Sequence, residues 1–368
     1  MESNERLPFY AKFSLNLLTI VILAGIIYIG QDILMPLCFA IVLAFLLLPM
    51  HNWLVKKGFP QVPSMLLCIL IAVGCISGVV YFISMQVAGF VDDLPTIKQN
   101  LNHHITTVQH WVRNHFNISR RDQDKAVQSA AADIKTSGTG MLGSTVIGFA
   151  SALVVVVLLP IYTFLIMYYR NLIRKFLIDV FSTKHKIKVE EVLSESRVII
   201  QSYMVGLMLE MGIVAILNAT GFLLIGIKYA IFLAVLAAIL NMIPYIGMLI
   251  AGITCMLITL TTSENLSDVI WVAVVLLIVQ FIDNNFLMPY VVSSKVKINA
   301  LVSIIGVLIG GALAGVSGMF LSIPGIAIMK AIFDRVDELK PWGMILGDDT
   351  SMTRQSRRRL GRAKKTAA

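Results

Sequence analysis

The stretch Tyr229 to Thr262, YAIFLAVLAAILNMIPYIGMLIAGITCMLITLTT, decides the fold of this chain. It carries no charged residue, so it belongs in lipid, yet Asn241-Met242-Ile243-Pro244-Tyr245-Ile246-Gly247 stands at its centre. A transmembrane helix needs roughly 20 apolar residues, and this run is too long for one. Each half is about 15 residues, roughly 22 Å at ~1.5 Å per residue, which is too short to cross a core of about 30 Å. Pro244 removes a backbone donor and bars continuation of the helix, and Gly247 lets the chain turn at low steric cost. The stretch therefore predicts a helical hairpin that enters the bilayer and returns on the side it came from.

Ala300 to Phe333 has the same construction, interrupted at Gly310-Gly311, Gly315, Gly318 and Pro324. Six shorter apolar runs each fit one crossing: Phe13 to Ile29, Ile33 to Pro49, Val62 to Phe90, Thr145 to Tyr169, Val198 to Ile227 and Val269 to Met288. The whole chain is 57% hydrophobic and 14% charged with a mean hydropathy of +0.83, against about a quarter charged residues in a soluble domain. That excludes the soluble globular class. The first two apolar runs follow one another at once with no small-residue cleavage site between them, so they read as a pair of anchors rather than a cleaved signal. Cys38, Cys68, Cys75 and Cys255 all lie in apolar segments, where free cysteine behaves as a small hydrophobe, and no redox or zinc site is implied.

Charge placement gives sidedness. Arg170, Arg174, Lys175, Lys184, Lys186 and Lys188 stand between two spans, where Leu172, Phe176, Leu177 and Val180 form one apolar stripe, so an interfacial helix on the cytoplasmic face is expected. Arg354, Arg357, Arg358, Arg359, Arg362, Lys364 and Lys365 close the chain. Placing both clusters inside obeys the positive-inside rule, puts both termini in the cytoplasm and puts the polar stretch after Phe90 outside. The two broken stretches, read as hairpins, then leave Glu264 and Asp268 outside and Lys295 and Lys297 inside; read as single spans, they would do the reverse. The expected architecture is an all-α integral membrane protein, a polytopic bundle with two re-entrant, Pro/Gly-broken helical hairpins in inverted orientation. Helix-plus-hairpin repeats of opposite entry place unwound backbone near the midplane, the recurring arrangement of secondary transporters.

This reading divides the chain into N-terminal transmembrane helices (1–90), an extracytoplasmic helical insert (91–144), a transmembrane helix with cytoplasmic interfacial helices (145–197), a transport core (198–333) and a basic cytoplasmic tail (334–368). In the insert, Leu94, Ile97, Leu101, Ile105, Val108 and Val112 recur at helical spacing, Ala126, Ala130 and Ile134 repeat it weakly, and a Ser/Gly-rich link runs from Ser137 to Ser144. His103, His104, His110 and His115 lie there without the convergent third and fourth ligands of a zinc site, and are expected to be solvated. The tail has no interleaved aromatic residues and follows a membrane segment directly, which favours an anionic lipid surface over nucleic acid.

Glu210 falls in the middle of a span, where an acid is costly enough to be a functional candidate by default, as a proton or cation site. The bland alternative is a carboxylate beside a wet vestibule or bonded to a neighbouring helix. Gln280, Asp283, Asn284 and Asn285 cluster ahead of Pro289, whose missing donor frees carbonyls for polar partners. They read equally as ligand-facing groups or as a helix-end cluster at the interface. Asn241 and Tyr245 bring polar groups to the depth of the first break, while the hairpin glycines are explained by close packing alone. Gly315-Val316-Ser317-Gly318 matches the Gly-x-Ser-Gly pattern of rhomboid intramembrane proteases, but no histidine follows His185 to serve as the base. Neither a P-loop nor a His-Glu-x-x-His motif occurs. An enzyme is not expected.

The Asn241 to Gly247 break, and the later run from Gln280 and Asp283-Asn284 through Pro289 to Gly310-Gly311, Gly315, Gly318 and Pro324, resemble in order and spacing the motifs of the autoinducer-2 exporter family of bacterial membrane proteins. The insert after the third span and the basic tail resemble that family too, so the likeness covers nearly the whole chain. Asp283 stands where the family commonly carries a glutamate, so the carboxylate is kept on a shorter stem. The resemblance implies a transporter of the bacterial cytoplasmic (inner) membrane exporting autoinducer-2 or related small polar solutes, and some relatives resemble sodium or lithium/proton antiporters. Glu210 and Asp283 are then expected to carry the coupling ion, proton or sodium, with no other cofactor. Asn241, Tyr245, Gln280, Asn284 and Asn285 are expected to line the solute path, and a homo-oligomer is compatible with all of this. The competing class is a scaffold or assembly factor that binds partners through the insert.

Overall fold

The computed structural model describes residues 8–116, 156–181, 186–292 and 298–347 of the chain, and nearly all of them are helical. In order, the helices are α1 (Phe9–Lys56), α2 (Gln61–Asp92), α3 (Leu94–Phe116), α4 (Val156–Val180), α5 (Lys186–Ile225), α6 (Ala230–Asn241), α7 (Ile246–Thr262), α8 (Leu266–Ile282), α9 (Ala300–Arg335) and α10 (Lys340–Leu346). A π-helical stretch, Asp283–Val292, continues α8. Among the described residues, six helices (α1, α2, α4, α5, α8 and α9) are long and apolar enough to cross a membrane. The protein is therefore a multi-pass helical membrane protein. The weak helical pattern at Ala126 to Ile134, the Ser137 to Ser144 link, the start of the Thr145 span, Lys184, Lys295, Lys297 and the tail from 348 lie outside the described residues.

Two sequence expectations about where helices end are corrected. The paired anchors Phe13 to Ile29 and Ile33 to Pro49 form one continuous helix, α1, of 48 residues. Only Gly30, Gln31 and Asp32 separate them, and a lone glycine between good helix formers costs about 1 kcal/mol without forcing a turn. The separate interfacial helix expected between Arg170 and Arg197 is absent as such. Neither Gly nor Pro interrupts Tyr169 to Val180, so α4 runs on through the stripe, and α5 begins at Lys186 and reaches Ile225 unbroken. Lys186 bonds Asp179 at 2.8 Å and Arg174 pairs with Glu190, so the two helix ends are joined by charge.

Two compact units divide the chain. One is drawn from residues 47–164 and 204–294, the other from 1–46, 165–203 and 295–368. In the first, α6 and α7 pack side by side as an antiparallel hairpin, and Phe222 of α5, Leu233 and Ala234 of α6, Cys255 of α7 and Val272 of α8 form its fully buried centre. The reversal is sharper than expected. Tyr245 has φ 65° and ψ −53°, and the Ile246 N–H bonds the Pro244 carbonyl at 2.8 Å, which is the strained form of a γ-turn. Gly247 does not make the turn. It lets helix meet helix, since a Cβ there would strike the Leu240 carbonyl. Because positive φ costs a residue with a side chain roughly 1–2 kcal/mol, Tyr245→Gly is expected to keep the fold and raise thermal stability in detergent by up to about 1 kcal/mol.

The insert helix α3 packs on the far end of α7. Asn100 Nδ2 donates to the Thr261 carbonyl at 3.3 Å, and His104 Nε2 lies 2.9 Å from the Ser263 carbonyl. His104 is 4% exposed, so the expectation that it is solvated is overturned: it caps carbonyls that the last turn of α7 leaves without partners. His103 is exposed as expected. Among the described residues, no three His, Cys, Asp or Glu side chains are placed to hold a metal. At the end of α2, Asp93 takes the Lys228 ammonium at 2.5 Å and the Tyr229 hydroxyl from the α5–α6 turn, and these hold its carboxyl below the ordinary value.

In the second unit, α9 is a helix folded on itself. Its backbone leaves the helical region only at Ala314 (φ −148°, ψ 29°) and Gly315 (φ 57°, ψ −143°), the latter a region open to glycine. On either side of that point the arms touch: a Cβ on Gly310 would meet the Gly318 carbonyl, and one on Gly318 the Gly310 carbonyl. Gly306 likewise sits against Ile326. Of the interruptions read from sequence, Gly315 alone breaks the helix; Gly310, Gly311 and Gly318 pack the arms, and Pro324 stays inside a helical segment. The Asn299 side chain caps the first arm through the Leu301 N–H at 2.8 Å.

Beyond the second arm, Arg335 pairs with Glu191 and, at 2.9 Å, with Glu195, while Asp337 accepts Lys188 at 2.8 Å and Lys340 at 2.7 Å. Lys188 first and Lys340 second hold the Asp337 carboxyl at about 2, below 3.8. A carboxylate so depressed gives its stability in full above its unfolded value and loses it as pH falls through the folded one. Asp337→Asn is therefore expected to flatten the fall in melting temperature between pH 4 and pH 2, with the shape of the curve unchanged between pH 5 and pH 8.

Candidate functional site

The site lies in the first unit, where α5, the end of α6, the start of α7 and the end of α8 converge. Glu210, Val214 and Asn218 follow at four-residue spacing on α5, so they share one face. Gly221, one turn past Leu217, has no side chain, and Val275 of α8 closes against it, which brings α5 and α8 together. α6 ends at Asn241, three residues ahead of Pro244 and the γ-turn, and the π-helical stretch opens at Asp283, so two irregular backbones meet. Such π-helical insertions often mark functional positions because they re-aim a side chain.

Glu210 is 4% exposed and Asp283 3%, and the Glu210 carboxyl lies within hydrogen-bonding reach of Asp283. Asp283 Oδ2 accepts Asn241 Nδ2 at 3.1 Å and Gln280 Nε2 at 3.4 Å. Its Oδ1 and Glu210 Oε2 are buried with no hydrogen-bond partner. Buried polar atoms are nearly always satisfied, so these two orphan oxygens on neighbouring acids mark a place for a proton or a cation. Asp283 also lines a cavity of about 30 Å³ with Asn218, Asn241 and Gln280 and the apolar Val214, Ala237, Met248, Ala251, Leu276 and Val279. On the measure by which one water needs roughly 10–15 Å³, it has room for two waters or an ion.

The structure thus brings Glu210, Asp283, Asn241 and Gln280 together. Asn284 is exposed and joins only through the Gln280 Nε2 bond at 3.0 Å. Asn285 faces away and bonds the Phe281 carbonyl at 2.8 Å, while Tyr245 is half exposed at the hairpin tip, outside the cavity lining. Pro289 lies within the π-helical stretch. Sequence reasoning passed over Asn218, which is 2% exposed, lines the cavity and keeps Oδ1 without a partner. The available signal was its place two turns after Glu210 on the same helix face.

A bundle of apolar helices around a broken hairpin, with a buried acid pair and amides at the break, is the construction of a membrane transport protein. The sequence profile of the AI-2E family transporters matches residues 17–338, and the chain belongs to that family. Its relatives agree at low identity over most of their length. YrrI of Bacillus subtilis, described as a candidate transport protein, is 24% identical over 82% of this chain and 86% of its own. YhhT of Escherichia coli, described in the same terms, is 24% identical over 84% and 86%, and the candidate permease PerM of Escherichia coli is 27% identical over 84% and 88%.

Proposed function

We propose that this transporter is ion-coupled and exports autoinducer-2 or a related small polar solute across the bacterial cytoplasmic membrane, with Glu210 and Asp283 as the coupling pair. The observation that carries this reading is the pair of buried, partnerless carboxyl oxygens on two neighbouring acids in an apolar setting. Two bare carboxylates about 4 Å apart would repel by roughly 4 kcal/mol at an effective dielectric constant of about 20, so the pair holds a positive charge between them. Asn241 and Gln280 donate to Asp283 Oδ2 and leave its Oδ1 without a partner. Asn241 ends α6 and Asp283 ends α8, so loss or gain of that charge acts directly on the packing of the hairpin against α8. In this reading the α6–α7 and α9 hairpins are re-entrant and of opposite entry, both termini face the cytoplasm, and Tyr245, Asn284 and Asn285 meet the solute when the site opens.

The test is efflux from reconstituted vesicles: flux that follows an imposed proton or sodium gradient supports coupling, and flux indifferent to both makes the protein a facilitator. One observation favours a second reading, a sodium or lithium/proton antiporter, because the cavity has room for an ion and not for an organic solute. Sodium or lithium collapsing a proton gradient in vesicles that contain no organic solute separates the two.

A further inference from the structure

We infer that α10 is an interfacial anchor that seats the base of the α9 hairpin on anionic lipid. The helix is short, Lys340–Leu346, but it is firmly held. Gly343 is buried where a Cβ would meet the Asp334 carboxylate, the Asn299 N–H bonds the Leu346 carbonyl at 3.1 Å, and Ile298 pairs with Gly347. These contacts clamp α10 across both ends of α9, where a hairpin inserted in lipid emerges from it.

What α10 turns outward is apolar. Trp342, Met344 and Ile345 are 61%, 79% and 62% exposed, beside exposed Lys340 and Pro341. In the same unit, Asp334, Asp337, Glu191 and Glu195 are each engaged by a lysine or arginine. The chain that follows carries Arg354, Arg357, Arg358, Arg359, Arg362, Lys364 and Lys365. Tryptophan concentrates at the headgroup level, where its ring is apolar and its N–H finds water. Apolar side chains backed by a basic run bind anionic bilayer surfaces, since burial of the apolar groups and attraction to the headgroups add. A protein partner for the same face would have to displace the lipid that the hairpin itself brings alongside. This inference rests on α9 lying in the membrane and is independent of what the protein transports.

The test uses the full chain with Trp53, Trp111 and Trp271 changed to Phe, leaving Trp342 as the only emitter of its four tryptophans. It is reconstituted in phosphatidylcholine/phosphatidylglycerol vesicles with or without brominated acyl chains. The expected result is blue-shifted emission that brominated lipid quenches by half or more and iodide leaves nearly unchanged, with the lipid quenching at least twofold weaker in phosphatidylcholine alone. Red-shifted, iodide-quenched emission places Trp342 in water and overturns the anchor. Blue-shifted emission untouched by brominated lipid assigns the face to a protein contact and overturns it equally, and equal quenching in neutral and anionic vesicles overturns the anionic preference. If the triple variant does not fold, the difference spectrum between the native chain and Trp342→Phe supplies the same readout.

Discussion

Asp283→Asn is expected to reduce solute flux in reconstituted vesicles at least tenfold, to the level of empty liposomes, while the purified protein keeps its elution profile and melting temperature within a few degrees. The substitution keeps the shape of the side chain and an oxygen that can still take the Asn241 and Gln280 N–H groups at the place of Oδ2. It removes the charge beside Glu210 on which the proposed coupling site depends. On the proposed reading, binding of the coupling ion is thus lost without creating a cavity, and effects on folding stay small. Glu210→Gln should behave alike, and the double variant should be no worse than either single one, because residues that act as a unit are not additive.

The second large effect falls on stability. Gly318→Ala and Gly247→Ala each add one methyl group, yet each should cost about 2–3 kcal/mol, at the upper end of ordinary overpacking. In both, the new atom meets a main-chain carbonyl, of Gly310 or of Leu240, and backbone of a packed helix cannot turn aside as the tip of a side chain can. The two arms must separate instead. Gly252→Ala and Gly325→Ala are the controls: nothing lies within 4 Å of a Cβ at either position, so neither should destabilise. Melting of the four variants in detergent, followed by size-exclusion profile, checks this. Equal effects at all four positions would mean that the arms are not in backbone contact.

The sequence announced the hairpins because proline, glycine and the length limit of a span are local facts. Pro244 removes a backbone donor at the middle of a run too long for one crossing, and there the chain folds back. The acids were legible for a similar reason: Glu210 and Asp283 are conspicuous in segments where charge is expensive, and Asn241 and Gln280 stood beside breaks. What could not be read was tertiary. Whether Gly310 or Gly315 turns the α9 chain depends on which glycine the opposite arm presses, and whether Tyr245 or Gly247 takes the strained turn depends on how close Leu240 must come. Asn218 looked like one polar residue in an apolar run until Val275 closed on Gly221 and set it in the cavity wall. His104 looked solvated because the α7 carbonyls it caps are far away in sequence. The merging of two apolar runs into α1 shows the converse error, since hydropathy dips at Gln31-Asp32 where backbone geometry does not.

The most direct measurement is the small-molecule content of the medium around cells that overproduce the native chain, the Asp283→Asn variant or neither. If the protein exports a polar solute through the Glu210–Asp283 site, at least one such solute accumulates outside cells making the native chain, and its level with the variant falls back to that of cells making neither. A solute raised equally by both chains would contradict the assignment of that site, and a medium unchanged by the native chain would contradict export itself.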